Sequence, residues 1–244
     1  MRKILYALFL VAGTRPALAQ HSELLGRAGL NLSHFVGSSA EQESFINYSG
    51  AGHGYTNNPF GGRLGLGAGA GLRLLHESRW PLLLGLDLGY DYQRARTAIT
   101  GLSYSSYPTY SFYAADGHTY LASQHVSLFF ALGYRLHLGA VRLDVLAGPE
   151  LAAVFGKREA GRGTYYNNGD QAWATNEGRD SGLPFDGLLR ADLTAWRGRW
   201  GLNGSYAWGG VNYRSGLVGG GPSEAFDRSL RLGLVYRLKP RATP

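Results

Sequence analysis

Ser123 and His125 stand two positions apart, and Asp87, Asp91 and Glu150 are carboxylates that a folded chain could bring beside them. A Ser-His-acid set performs acyl transfer when serine and imidazole are hydrogen-bonded and an oxyanion donor lies beside the serine. Residues i and i+2 of a strand are about 7 Å apart, which predicts a pair too separated for that bond. The seven histidines (21, 34, 53, 76, 118, 125 and 137) lack the tight spacing of a metal site, and the chain has no cysteine to join them. Gly65-Leu-Gly67-Ala-Gly69-Ala-Gly71 repeats glycine at every second position with no helical pattern after it. That fails the context a dinucleotide loop requires and fits small side chains relieving crowding on one face of a strand. No catalytic residue, metal or cofactor is therefore expected.

Fifteen ionic residues fall on one face of alternating segments. Arg27, Arg63, Arg73, Arg135, Arg142, Arg190, Arg231 and Arg237 share it with Asp87, Asp91, Asp144, Glu150, Asp186, Asp192 and Asp227. The opposite face is rows of leucine, valine, alanine and aromatic residues, broken by Gln124 and Arg228 near segment ends. Strict period-two alternation predicts strands near 24–36, 62–75, 82–96, 119–138, 141–156, 185–196, 200–211 and 225–238. Pro149 falls inside the fifth and predicts a bulge or break there, because it cannot donate to the ladder.

Connections decide the architecture. Short turns at His76–Pro81, Gly139-Ala140 and Arg197–Arg199 alternate with long segments at 37–61, 97–118, 157–183 and 212–224. An antiparallel meander with every long connection on one side predicts an all-β, eight-stranded up-and-down transmembrane β-barrel. Its leucine rows face lipid and its paired charges fill a closed lumen. Trp80, Trp196 and Trp200 near the short turns, and Tyr90, Tyr92, Tyr206 and Trp208 toward the long connections, are expected as aromatic girdles. Tyr104, Tyr107, Tyr110, Tyr113, Tyr165, Tyr166 and Trp173 lie in long connections rich in Ser, Gly and Asn, a composition suited to adaptable recognition. Those loops are the expected contact with an extracellular protein or glycan, and Arg228 is the expected contact with lipopolysaccharide phosphate.

Composition agrees. Hydrophobic residues are 44% and charged residues 17%, with 37 glycines and 16 tyrosines. No apolar run approaches the roughly 18–20 residues of a membrane helix. Arg2 and Lys3 before the apolar stretch Ile4 to Ala12, with Ala17-Leu-Ala19 following, read as a signal peptide over 1–19, leaving a barrel domain over 20–244. Cleavage there leaves 21 basic against 17 acidic residues, a formal charge of +4. Export and so small a charge argue against nucleic acid as a partner. The expected location is a Gram-negative outer membrane, with lipid and lipopolysaccharide as surroundings and a monomeric state.

Arg27-Ala-Gly-Leu-Asn-Leu-Ser33 with Phe35, and Ala147-Gly-Pro149 with the Phe155-Gly-Lys157 exit, resemble the PorT-like outer-membrane β-barrel family of Bacteroidetes-type bacteria. The resemblance implies a small, signal-bearing barrel of the OmpA/OmpX kind and carries no catalytic residue across. Three other functions compete with a structural or binding role: a narrow pore or secretion accessory, an outer-membrane lipid-modifying enzyme, and a secreted lipocalin-like barrel. Eight-stranded lipid A deacylases carry a His-Ser pair in a late strand, where this chain has no histidine. The lipocalin-like reading requires the leucine rows to point inward.

Overall fold

The computed structural model describes residues 21–49, 53–78, 82–106, 109–179, 185–214 and 223–238, so the expected signal peptide, Trp80 and Tyr107 lie outside the described residues. Eleven strands follow one another: β1 (His21–Val36), β2 (Glu43–Ser49), β3 (His53–Thr56), β4 (Arg63–Glu77), β5 (Leu82–Ser106), β6 (Thr109–Leu138), β7 (Val141–Tyr166), β8 (Asp170–Gly178), β9 (Phe185–Arg197), β10 (Trp200–Gly209) and β11 (Phe226–Arg237). Eight of them close a ring, β1-β4-β5-β6-β7-β9-β10-β11, and β11 pairs back to β1. Every pairing around the ring is antiparallel. The ring is an eight-stranded antiparallel barrel, and closure leaves no unpaired edge within it.

The two faces are chemically opposite. Leu30, Leu66, Leu72, Leu88, Leu132, Leu189, Leu193, Leu202 and Leu232 all point outward and stay exposed around the wall. The carboxylates and arginines of the same strands are buried inside. This inversion defines a transmembrane barrel, and it overturns the lipocalin-like alternative, which needed the leucines in a core. Trp200, Tyr90, Tyr92 and Trp208 also face outward, with Tyr206 half-buried and packed edge-on to Trp208 at 4.6 Å.

Trp196 is a correction. It is only 2% exposed and lies inside, on the face that carries Asp186, Arg190 and Asp192. Its place in the alternation, an even number of residues from Asp192, outranks the general habit of tryptophan at interfaces.

The long connections are a second correction. Residues 97–106, 109–118 and 157–166 do not loop; β5, β6 and β7 run on as strands well beyond the ring. A transmembrane strand needs about 9–11 residues, and these have 25, 30 and 26. Above the ring β8 pairs antiparallel to β7, β2 pairs parallel to β5, and β3 pairs antiparallel to β2. This roof sheet, in the order β3-β2-β5-β6-β7-β8, curls until Thr175 of β8 donates its hydroxyl to the Gly54 carbonyl of β3. Ile46, Ile99, Leu102 and Trp173 form its core, which is the reason these residues extend: each buries apolar surface that a solvated loop would expose.

Pro149 produces no register shift. Pairing passes from Phe129↔Glu150 to Leu132↔Ala147 in one register, with two ladder pairs missing between them, while β9 stays paired through Pro149↔Leu189. The shift lies further along, between Ala122↔Arg158 and Gln124↔Phe155, where Gly156 adopts φ +60°. One extra residue on β7 there makes a bulge and reverses which side chains face inward.

Leu88 is 54% exposed in the middle of the outer wall, while Val141 begins β7 at a short turn. Replacing Leu88 by Arg is expected to cost about 2–4 kcal/mol in lipid vesicles, and Val141→Arg about 0–1 kcal/mol. Urea unfolding of protein refolded into phospholipid vesicles checks this; equal costs at both positions would contradict a lipid-facing wall.

Candidate functional site

The lumen is layered along the strands. Nearest the short turns, Arg135 binds Asp144 at 2.6 Å, Glu77 at 2.7 Å and Glu23 at 3.4 Å. Arg237 binds Glu23 at 3.1 Å, lies 3.9 Å over the Trp196 ring and donates to the Gly198 carbonyl. The Trp196 indole donates to Asp144 at 2.7 Å, which is the use found for this buried ring. Above this layer Leu25, Leu75, Leu83, Phe129, Leu146 and Val235 pack together and block the axis with apolar side chains.

The middle layer is a continuous ionic chain. Asp91 contacts Arg231 at 3.1 Å, and Arg231 binds Glu150 at 2.8 Å. Glu150 binds Arg190 at 3.0 Å, Arg190 binds Asp192 at 2.7 Å, and Arg73 grips Asp192 through two bonds of 2.9 and 2.8 Å. Asp87 then joins Arg73 at 2.8 Å to Arg27 at 2.9 Å. The chain alternates sign throughout, four arginines with four carboxylates, so it carries no net charge. The Asp91–Arg231 contact is an ion pair without hydrogen-bond alignment.

Glycines make the room for it. A Cβ at Gly71 would lie 2.9 Å from Arg27 Nε, and one at Gly69 would collide with the Asp91 carboxylate. The alternate glycines of β4 thus leave space for long ionic side chains from the two adjacent strands.

The expected lumen residues do not all join these chains. Arg63 stands at the outer rim, half-exposed, against Glu43 at 3.2 Å. Arg142 is half-buried beside the short turn, in register with Trp196. Asp186 and Asp227 are buried toward the roof, where Asp186 accepts the Tyr213 hydroxyl at 3.0 Å. Glu23, Glu77 and Glu159 were not singled out by the alternation, although Glu23 shares its parity with Arg27.

Ser123 and His125 correct the distance argument: Ser123 Oγ lies 2.9 Å from His125 Nε2. The 7 Å separation holds for backbone, and the imidazole spans most of it. Asp91 is the register partner of His125 on the adjacent strand. The space beside the pair, lined by Ser33, Phe35, Gln93 and Asp227, is about 10 Å³. That holds at most one water, so this cavity has no room for an acyl substrate beside the pair.

The roof brings some aromatic candidates to the surface and buries others. Tyr110 and Tyr166 are exposed, joined by Tyr55 and Phe112. Tyr104 stacks on Tyr48 at 6.1 Å and Tyr113 packs on Tyr165 at 5.7 Å, both half inside. Trp173 is 3% exposed and cannot contact a ligand directly, which corrects its placement among the loop candidates. Glu159, 0% exposed, pins the roof: it accepts from the Thr56 amide at 2.7 Å, the Thr56 hydroxyl and Arg179 Nε at 2.8 Å.

No family model and no curated protein matches the chain. Among solved structures it is similar to Ail, the attachment invasion locus protein of Yersinia pestis, solved with the heparin analogue sucrose octasulfate. Identity is 13% over 90% of this chain and 100% of that one, with a TM-score of 0.39. It is also similar to Neisserial surface protein A, at 10% identity, 90% and 100% coverage and a TM-score of 0.36. The assignment of a closed eight-stranded barrel rests on the strand pairings above.

Glu150 neutralises two buried arginines, so Glu150→Gln is expected to lower stability by about 3–5 kcal/mol by stranding their charge. Arg63→Gln, which removes an exposed pair, is expected to change it by about 1 kcal/mol or less. Denaturant unfolding of the two variants side by side checks the ranking; the reverse order would sink the account of the lumen.

Proposed function

We propose that the chain is a monomeric outer-membrane barrel of a Gram-negative bacterium whose lumen is closed and whose work is done by the roof. The observation that carries this reading is the inversion of the wall: leucines outside on all sides, ions inside. A closed antiparallel ring with such a wall is stable only where hydrocarbon surrounds it, and bacterial single-chain barrels of this kind sit in the outer membrane. Residues 1–19 act as the export signal in this reading. The two stretches at 27–35 and 147–157 support placement near the PorT-like family.

The lumen supports no transport. Trp196, Arg73, Arg135, Arg190 and Phe129 are among the largest buried side chains, and all lie inside the ring. An eight-stranded ring is just wide enough for such side chains to fill. The small cavity beside the Ser-His pair favours a lumen polar contact over catalysis in this reading.

The roof instead offers Tyr55, Tyr110, Phe112 and Tyr166 to the outside, on strands held by a core of their own. Rigid aromatic side chains give contact area at low entropic cost, so an extracellular protein or glycan is the proposed ligand.

The chain has no native cysteine, which makes topology directly testable. A cysteine at Tyr110, 68% exposed on the roof, is expected to react with a membrane-impermeant maleimide on intact cells. A cysteine at Ala140, in the Gly139-Ala140 turn, is expected to react only after the outer membrane is permeabilised. Labelling of both, or of Ala140→Cys alone, on intact cells would refute the orientation.

A further inference from the structure

Just beyond the outer aromatic girdle, the lipid-facing side of β5, β6 and β7 changes from apolar to basic. The register places three rows on this one face. Arg94, Ala122 and Arg158 form the first, Arg96, Tyr120 and Ala160 the second, and Ala98, His118 and Arg162 the third. The row directly below is Tyr92, Gln124 and Phe155, whose aromatic rings face outward. The two faces are therefore continuous: lipid contact passes into a cluster of four arginines without a turn in the wall.

Spacing puts the first row of that cluster at headgroup depth and the next two rows just outside it. Strands rise about 3.4 Å per residue and tilt about 35–45°, so Arg94 and Arg158 lie roughly 5 Å, Arg96 roughly 10 Å and Arg162 roughly 15 Å above the Tyr92 row along the membrane normal. The polar region of a leaflet is roughly 5–8 Å thick. Across the sheet, Arg94 and Arg158 are two strand spacings apart, about 10 Å. That span suits a headgroup bearing more than one phosphate.

Among the described residues the partners neutralise this charge only in part, with one carboxylate, Asp116, lining the same pocket as His118 and Arg162. Arg94 lies 3.9 Å over the Tyr120 ring, and Arg158 donates to the neutral amide of Asn176 at 2.5 Å. Arg96 Nε is buried with no hydrogen-bond partner. Asp116 is the carboxylate beside His118 on this face, whereas Glu159 and its register partner Glu177 belong to the opposite one and Glu43 is held by Arg63. Burial, and then the charges of Arg96, Arg162 and Arg94, hold the His118 imidazole below its usual pKa, as a cationic field must.

We propose that Arg94, Arg96, Arg158 and Arg162, with Tyr120 and His118 between them, form a binding ridge for the phosphorylated headgroup of a lipopolysaccharide molecule seated against the barrel. The ridge rests on the outer-membrane reading. It stands apart from Arg228, the phosphate contact suggested by the sequence, which donates through Nη1 to the Gly209 and Asp227 carbonyls at 2.9 and 2.7 Å. Guanidinium forks suit phosphate because each offers paired N–H donors in one plane.

The test uses the full mature chain refolded in detergent, with heat-modifiable migration confirming the barrel separately from any binding. Wild type is compared with R94Q/R96Q/R158Q/R162Q and with R162Q alone, against bis-phosphorylated lipid A, the same lipid A dephosphorylated, and a heparin fragment. The quadruple variant is expected to bind phosphorylated lipid A at least about tenfold more weakly, and R162Q about threefold, since charge-assisted bonds are the strong ones. Dephosphorylated lipid A is expected to bind all three proteins alike. Should the quadruple variant not refold, R162Q at the exposed end of the ridge decides the matter. Equal affinity of wild type and R162Q for phosphorylated lipid A overturns the proposal. So does a heparin fragment that loses binding in the variants while lipid A does not, which would make the ridge a site for soluble sulfated glycan. A chain showing no heat-modifiable migration would refute the membrane reading itself.

Discussion

Hydrocarbon offers no partner to a backbone amide or carbonyl, and an unpaired group there costs several kcal/mol. The arrangement of this chain follows from satisfying that constraint with strands. Strands pair only with neighbours, so the sheet must return on itself, and β11 meets β1 along twelve consecutive residue pairs from Leu25↔Arg237 to Val36↔Phe226. Closure then gives every residue one of two surroundings, lipid or lumen. The period-two pattern of the sequence is the imprint of that division, and it is more regular here than in a soluble sheet whose outer face tolerates either kind of residue.

Closure at eight strands also dictates what the lumen contains. The ring is too narrow to hold a water column and too wide to be filled by alanine or valine. Long side chains must cross it, and arginine and glutamate do so while bonding at their far ends. Buried ion pairs contribute little net stability against an apolar filling. Their use here is geometric: Arg73 joins β4 to β5 and β9, and Arg231 joins β11 to β5 and β7. The apolar layer of Phe129 and its neighbours does the packing, and the ionic layers on either side hold opposite walls at a fixed separation.

Architecture was legible because alternation and connection length are local features. Several site features were not, for separate physical reasons. Residue type points Trp196 to the interface, whereas parity, two steps from Thr194, points it inside. Backbone spacing alone hides the Ser123–His125 bond, which depends on side-chain reach. The roof strands read as loops because they mix tyrosine, serine and glycine. Their pairing depends on β2, β3 and β8 arriving from distant segments, and no local pattern announces a parallel β2–β5 pair. The pairings of the ionic chain are likewise nonlocal: Arg73 and Asp192 are 119 residues apart.

The bulge at Gly156 shows how much of the outer surface depends on one backbone position. Below it, Glu150, Ala152 and Val154 face inward and Leu151 and Phe155 face lipid. Had the alternation continued, Lys157 and Glu159 would face outward and Arg158 and Arg162 would enter the roof core beside Ile99 and Trp173. The extra residue reverses this, so that Lys157 lies 5.2 Å from the Tyr213 ring and Glu159 reaches Thr56 and Arg179 inside. The arginines are turned out in the same step. A left-handed φ of +60° is open to glycine at little cost and strained for most other residues, so the exchange of faces rests on Gly156 having no side chain. The carboxylate that ties the roof together and the two β7 arginines of the ridge, Arg158 and Arg162, are thus two results of a single conformational event on β7.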